Sequence, residues 1–229
     1  MKNLKLIFMI VLFLPIAGSV QAQDWAGLNR YRSANEKLAA VDSGVKRVVF
    51  MGNSITDGWS KFWPDFFSGK PYINRGISGQ TTPQMLIRFR ADVINLKPSL
   101  VIILAGTNDI AGNTGPSTLE MILDNLISMA ELARANNIHV ILSSVLPVFD
   151  YPWKPGLEPA EKIVALNKMI KNYADKNGMT YLDYFTAMVD ERKGLKNEYT
   201  TDGVHPNKAG YSIMAPLAEE AIKIALHQH

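Results

Sequence analysis

Ser54, Gly79, Asn108, Asp202 and His205 all stand where apolar segments of the chain give out. A serine hydroxyl attacks an acyl carbon when a base takes its proton, a further group holds that base, and donors receive the charge on the carbonyl oxygen. His205 is the candidate base. Asp202 precedes it by three residues, close enough to reach its other ring nitrogen through a tight turn. Asn108 offers a side-chain amide, Ser54 its own N–H, and Gly79 an N–H with no side chain to block approach. The chemistry this set describes is acyl transfer to serine followed by hydrolysis. Taken singly, each residue has a plainer reading. Ser54 and Asp202-Gly203 are ordinary turn residues, Asn108-Asp109 is an ordinary helix cap, and Gly79 can serve an unusual backbone angle. Their joint appearance, in order, at strand ends sets them apart from these single readings.

Those strand ends are read from periodicity. "RVVFMG" (47–52), "YINRGI" (72–77), "SLVIILAG" (99–106), "IHVILSSV" (138–145) and "MTYLDYF" (179–185) predict five strands. The third is a β-branched run without polar alternation, as expected of a strand covered on both faces. Helical spacing recurs over 81–96, 117–136, 158–178 and 207–226, and the opening segment 24–40 also reads as helical. Strands alternating with helices imply an α/β fold, a parallel sheet with helices on both faces, and a single domain from residue 23 to 229. In such sheets ligands bind beyond the carboxyl ends of the strands, where the five residues fall. The proline- and aromatic-rich loop 146–159 follows the fourth strand and is long enough to suggest a role of its own. His139 opens the fourth strand at the opposite edge, and His227 and His229 lie in the C-terminal tail, so none of them competes with His205.

Composition narrows the choice further. Residues 1–22 combine Lys2 and Lys5, a short apolar core interrupted by Pro15, and small residues at Val20 and Ala22. This predicts a secretory signal peptide cut after Ala22, with the protein exported and no stable membrane anchor. Loss of Lys2 and Lys5 takes the net charge from +3 to +1, with no basic run to suggest nucleic acid as a partner. The chain has no cysteine, which removes thiol nucleophiles, thiolate zinc sites and disulfides. No histidine–carboxylate cluster has metal spacing, so neither metal nor cofactor is expected. The nucleophile elbow G-x-S-x-G fails at Thr56, and the P-loop and dinucleotide fingerprints are missing. None of these motifs bears on oligomeric state.

With these blocks in place, the chain resembles the SGNH hydrolases, also called GDSL-type esterases or lipases. "GNSITDG", "NRGISGQTT", "GTND" and "DGVHP" match the four family blocks in order, across nearly the whole mature chain. The resemblance implies Ser54 as nucleophile, Ser54, Gly79 and Asn108 as the oxyanion hole, and Asp202 and His205 as the rest of the triad. It also implies a three-layer α/β/α sandwich with the flavodoxin-like strand order 2-1-3-4-5. Asn53 stands where the name motif has aspartate, and Ile55 where it has leucine. The second and third blocks are most similar to those of the platelet-activating-factor-acetylhydrolase-like and carbohydrate acetylesterase branch.

For substrate, the expectation is a short acyl ester, acetyl first, on a small molecule or glycan. Trp59 and Trp153, with Tyr151 and Trp63, either offer faces to sugar rings or fill the core. Alternatives are a lipid-ester or thioester hydrolase, a non-catalytic carbohydrate-binding module on the same scaffold, and a flavodoxin-like cofactor binder.

Overall fold

The computed structural model describes residues 23–39 and 44–227, so the expected signal peptide lies outside the described residues. Its centre is a five-stranded parallel sheet of order β2-β1-β3-β4-β5, as the resemblance implied. The strands are β1 (Val48–Gly52), β2 (Tyr72–Gly76), β3 (Leu100–Leu104), β4 (His139–Ser143) and β5 (Thr180–Leu182). Between them run α1 (Arg32–Ala39), α2 (Ser54–Phe62), α3 (Thr82–Asp92), α4 (Thr107–Ile110), α5 (Leu119–Arg134), α6 (Pro159–Lys176), α7 (Tyr184–Met188) and α8 (Lys208–His227).

Alternate side chains of a strand point to opposite faces, and here both faces are covered. Val49, Met51, Val101, Ile103, Val140 and Leu142 pack beneath α3, α5 and α6, against Met85, Phe89, Leu126, Met129, Leu166 and Ile170. Val48, Phe50, Leu100, Ile102 and Ile141 turn the other way, onto Ile55 and Trp59 of α2 and Tyr211, Met214 and Ala218 of α8. This is why β1 and β3 read as unbroken apolar runs. Fully burying a side chain of this size contributes about 1.5–3 kcal/mol, so the two packed faces dominate stability.

Strand β5 is shorter than the expected 179–185, since Tyr184 and Phe185 already belong to α7, and two further elements depart from the sequence-based reading. Helix α2 was not expected, because "SITDGWSKF" is short, holds Gly58 and begins in turn residues. Its apolar pair Ile55 and Trp59, four residues apart, lies on the sheet and supplies by packing what propensity does not. In the opening segment only Arg32–Ala39 is helical. Asp24 accepts from the N–H groups of Leu28 and Asn29 at 2.8 Å, holding residues 24–29 in turns.

Candidate active site

The strand order turns back on itself between β1 and β3, which lie side by side with Gly52 opposite Leu104. In open α/β sheets such a reversal is where the chains leaving neighbouring strands diverge and ligands bind. Ser54 leaves β1 as the first residue of α2, and Asn108 leaves β3 within α4. Gly52 permits the tight turn between them: a Cβ there would stand 2.0 Å from Thr56 Oγ1 and 3.0 Å from Leu104 O. Asn53 caps α2, its side-chain oxygen accepting from the Ile55 N–H at 3.3 Å. The amide thus performs a capping role open to the family's aspartate as well. Ser54 sits at the positive end of the helix, where developing negative charge is favoured.

The C-terminal block meets it across the sheet edge. Ser54 Oγ and His205 Nε2 are 2.9 Å apart, although 151 positions separate them in sequence. His205 Nδ1 and Asp202 Oδ2 are 2.6 Å apart. The turn expected between Asp202 and His205 forms because Asp202 Oδ1 accepts from the N–H groups of Val204 and His205 at 2.9 and 2.8 Å. Thr200 Oγ1 donates to the His205 carbonyl at 2.8 Å and accepts from the Gly203 N–H at 3.0 Å, fixing the loop from below. Partial burial pushes the Asp202 pKa up, but the His205 N–H, its imidazole and the Val204 N–H outweigh it, and the net shift is downward. Asp202 is therefore a carboxylate throughout the neutral range, suited to hold an imidazole and to stabilise its cation.

The loops after β2 and β3 are joined residue by residue. Asn113 Nδ2 donates to Gly79 O at 3.1 Å, and Asn108 Nδ2 to Gln80 O at 2.9 Å. Thr81 Oγ1 and Thr114 Oγ1 are 2.9 Å apart. Asp109 Oδ1 accepts from the Thr82 N–H at 2.9 Å and from its hydroxyl at 2.6 Å. Gly79 has φ +80°, the region glycine enters without strain. A primary amide carries two N–H donors, so the bond to Gln80 O orients Asn108 and leaves one donor for another acceptor. The two candidate oxyanion donors outside Ser54 are thus held on mutually bonded loops. Burial raises the Asp109 pKa to about 6, and its Oδ2 has no partner.

The tryptophans separate. Trp59 is buried, stacked 4.5 Å from Phe66 and 5.4 Å from Tyr211, so its expected substrate role is wrong: it is core. Trp63 is half-buried against the same aromatic cluster. Tyr151 is also buried, its hydroxyl donating to Thr107 O at 2.8 Å, which braces α4. Trp153 alone of the four is exposed, at 47%, and its ring lies 6.1 Å from that of His205. Lys154 ties the same loop to α4 by donating to Ala111 O at 2.9 Å. His139 opens β4 at the other end of the sheet, beside a cavity of about 410 Å³ that the triad does not border.

Sequence reasoning missed Gln80, Arg88, Asp109 and Thr200 as parts of this site. A signal for Arg88 existed: it and Asp92 share a helical face with Met85 and Phe89, and a charged pair on an apolar stripe is unusual.

The GDSL-like Lipase/Acylhydrolase family matches residues 50–213, and the chain belongs to that family of hydrolases. It is 51% identical to a GDSL-like lipase from Bacteroides thetaiotaomicron, with TM-score 0.85, covering 88% of this chain and 99% of that one. Esterase TesA from Pseudomonas aeruginosa is 29% identical, over 76% of this chain and 82% of its own length. Human platelet-activating factor acetylhydrolase IB subunit alpha2 is 25% identical over 90% and 89%. The chain spans about half the length of two other relatives: 51% of an uncharacterized Bacillus subtilis lipoprotein and 45% of Xylanibacter ruminicola acetylxylan esterase, which is 23% identical. Among the described residues no helix is long and apolar enough to cross a membrane, and no group of three or more His, Asp or Glu could hold a metal ion.

Proposed function

We propose that this protein is a serine esterase acting on short acyl esters, acetyl first, carried by carbohydrates. The observation that carries the reading is the continuous chain from Ser54 Oγ to His205 Nε2 at 2.9 Å and from His205 Nδ1 to Asp202 Oδ2 at 2.6 Å. In this mechanism Ser54 Oγ attacks the carbonyl carbon as His205 Nε2 takes its proton. The N–H groups of Ser54 and Gly79 and the free donor of Asn108 receive the oxyanion. His205 then gives the proton to the departing alcohol, leaving an acyl-serine. Water attacks that acyl group by the same route, its proton passing through His205, and frees the acid and Ser54. Asp202 holds the Nδ1–H tautomer and stabilises the imidazolium.

Substrate choice rests on the rim. Trp153 is exposed beside His205, with ring centroids 6.1 Å apart, and an aromatic ring at the rim suits a sugar ring. The acetyl groups named in two relatives, an acetylhydrolase and an acetylxylan esterase, support a short acyl chain. The acetylhydrolase relative also favours a second reading, an acetyl ester on a lipid alcohol. We further infer that residues 1–22 direct export and are removed, leaving residues 23–229 as one hydrolase domain.

The test is a panel of acetylated xylo-oligosaccharides, an acetylated lysophospholipid and p-nitrophenyl esters of two to twelve carbons. The reading predicts highest kcat/KM on the acetylated sugars and declining rates beyond four carbons. Preference for the phospholipid, or for long chains, contradicts it.

A further inference from the structure

Arg88 is fully buried on α3, its NH1 2.8 Å from the equally buried Asp92. A buried ion pair offsets its desolvation cost poorly, and apolar residues of similar size often serve stability as well or better. What such a pair does supply is direction. Arg88 Nε donates to Gln80 Oε1 at 2.5 Å, and NH2 donates to Gly52 O at 2.9 Å, at the end of the strand that leads into Ser54. Gln80 is held on every side. Its Nε2 donates to Ala26 O at 2.7 Å, and its carbonyl receives the Asn108 amide at 2.9 Å.

The segment that supplies Ala26 lies along the same loop. Gln84 Nε2 donates to Trp25 O at 2.6 Å, and the Tyr31 hydroxyl donates to Gly76 O. Gly27 fits against the loop so closely that a Cβ there would stand 3.2 Å from both Gln80 Nε2 and Ile77 Cδ1. Its φ of +70° further disfavours any side chain.

We propose that Gln80 is a positioning residue of the oxyanion hole, clamped between Arg88 and the 24–31 segment so that its carbonyl aims the Asn108 amide. This rests on the reading of Asn108 as an oxyanion donor. The clamp makes no contact with substrate. It fixes the acceptor that orients the donor, and a donor displaced by a fraction of an ångström loses much of its effect on the transition state.

The experiment measures kcat and KM on p-nitrophenyl acetate, per active site titrated with a fluorophosphonate, for Gln80→Ala, Asn108→Ala and the double variant. Gly27→Ala tests the segment from its own side, and Ile222→Ala, a buried substitution near the far end of α8, serves as a control for destabilisation alone. We expect Gln80→Ala to lower kcat about 10- to 30-fold with KM within about twofold, less than loss of a whole donor. In the Asn108→Ala background the same change should lower kcat by no more than about twofold, since contacting sites that act through one group do not add. Gly27→Ala should lower kcat about three- to tenfold at unchanged KM, while Ile222→Ala leaves kcat per site unchanged. Wild-type kcat in Gln80→Ala, or its full effect persisting without Asn108, overturns the proposal. If Gln80→Ala does not fold, wild-type kcat in Gly27→Ala overturns it. If Asn108→Ala itself retains wild-type kcat, the oxyanion reading fails first, and the two failures are told apart.

Discussion

The two helical layers of this protein are made of different materials. On the α2 and α8 side, Phe50, Trp59, Phe66 and Tyr211 meet ring to ring, with centroids 4.5 to 5.7 Å apart. On the α3 side, Met85 and Phe89 share their buried face with Arg88 and Asp92, and four consecutive residues from Gly79 to Thr82 bond to the loop after β3. The hydrophobic burial of large rings is strong and non-directional, whereas hydrogen bonds lose strength steeply with angle. The first layer therefore seats α2 and Ser54 at its start. The second sets the aim of the donors facing them. The difference teaches that the bulk of the stability and the aim of the candidate oxyanion donors are carried on opposite faces of one sheet, and substitutions on the two faces should separate them.

The largest expected separation comes from Asn108→Ala. Loss of one oxyanion donor should lower kcat about 10²–10³-fold, with urea unfolding showing a stable, cooperatively folded protein. A change below tenfold would remove Asn108 from the hole. On the opposite face, Ile222→Ala on α8 should cost about 2–5 kcal/mol of stability, read as a shift in urea midpoint, while activity per titrated site stays near wild type. If activity per site fell with stability, the division between layers would be wrong. Trp153→Ala draws a further contrast, between rim and core. Being exposed, it should leave stability within about 0.5 kcal/mol and raise KM several-fold for acetylated oligosaccharides, but not for p-nitrophenyl acetate. An equal effect on both substrates would deny it a sugar-facing role.

The smallest effect concerns pH. Burial raises Asp109 from 3.8 to about 6. Between those values the folded protein binds more protons at this carboxyl than the unfolded chain does. Its contribution to stability therefore falls as pH rises across that window and is least favourable above it. Asp109→Asn keeps an oxygen acceptor for Thr82 and removes the ionisation. Unfolding free energies at pH 4.5 and pH 7 should shift toward greater relative stability at pH 7 in the variant. An unchanged difference between the two pH values would show that Asp109 does not titrate there.

The sheet was legible in the sequence because a doubly covered strand needs an unbroken apolar run, and "VVFMG" and "LVIIL" are such runs. The meeting of Ser54, His205 and Asp202 was legible because Asp202 and His205 need only a tight turn to meet, and four blocks fall at four strand ends. Helix α2 was not, since its nine residues owe their helicity to packing on β1 rather than to propensity. Trp59 and Trp153 could not be told apart by type, because an aromatic ring serves a core and a sugar equally well. Their neighbours decide: Trp59 lies four residues after Ile55 on a helix against the sheet, and Trp153 stands in a loop turned by Asp150. Gln80 was quoted within its block yet given no role, since its bonds to residues 26, 88 and 108 exist only once the chain has folded.

The central claim is that Ser54 is the hydroxyl His205 activates. Intact-mass and peptide analysis after treatment with a fluorophosphonate tests it directly. The account predicts one adduct per chain, on the peptide holding Ser54, no adduct in Ser54→Ala, and loss of esterase activity in step with labelling. Labelling of another residue, or a Ser54→Ala variant that hydrolyses acetyl esters at the wild-type rate, would contradict it.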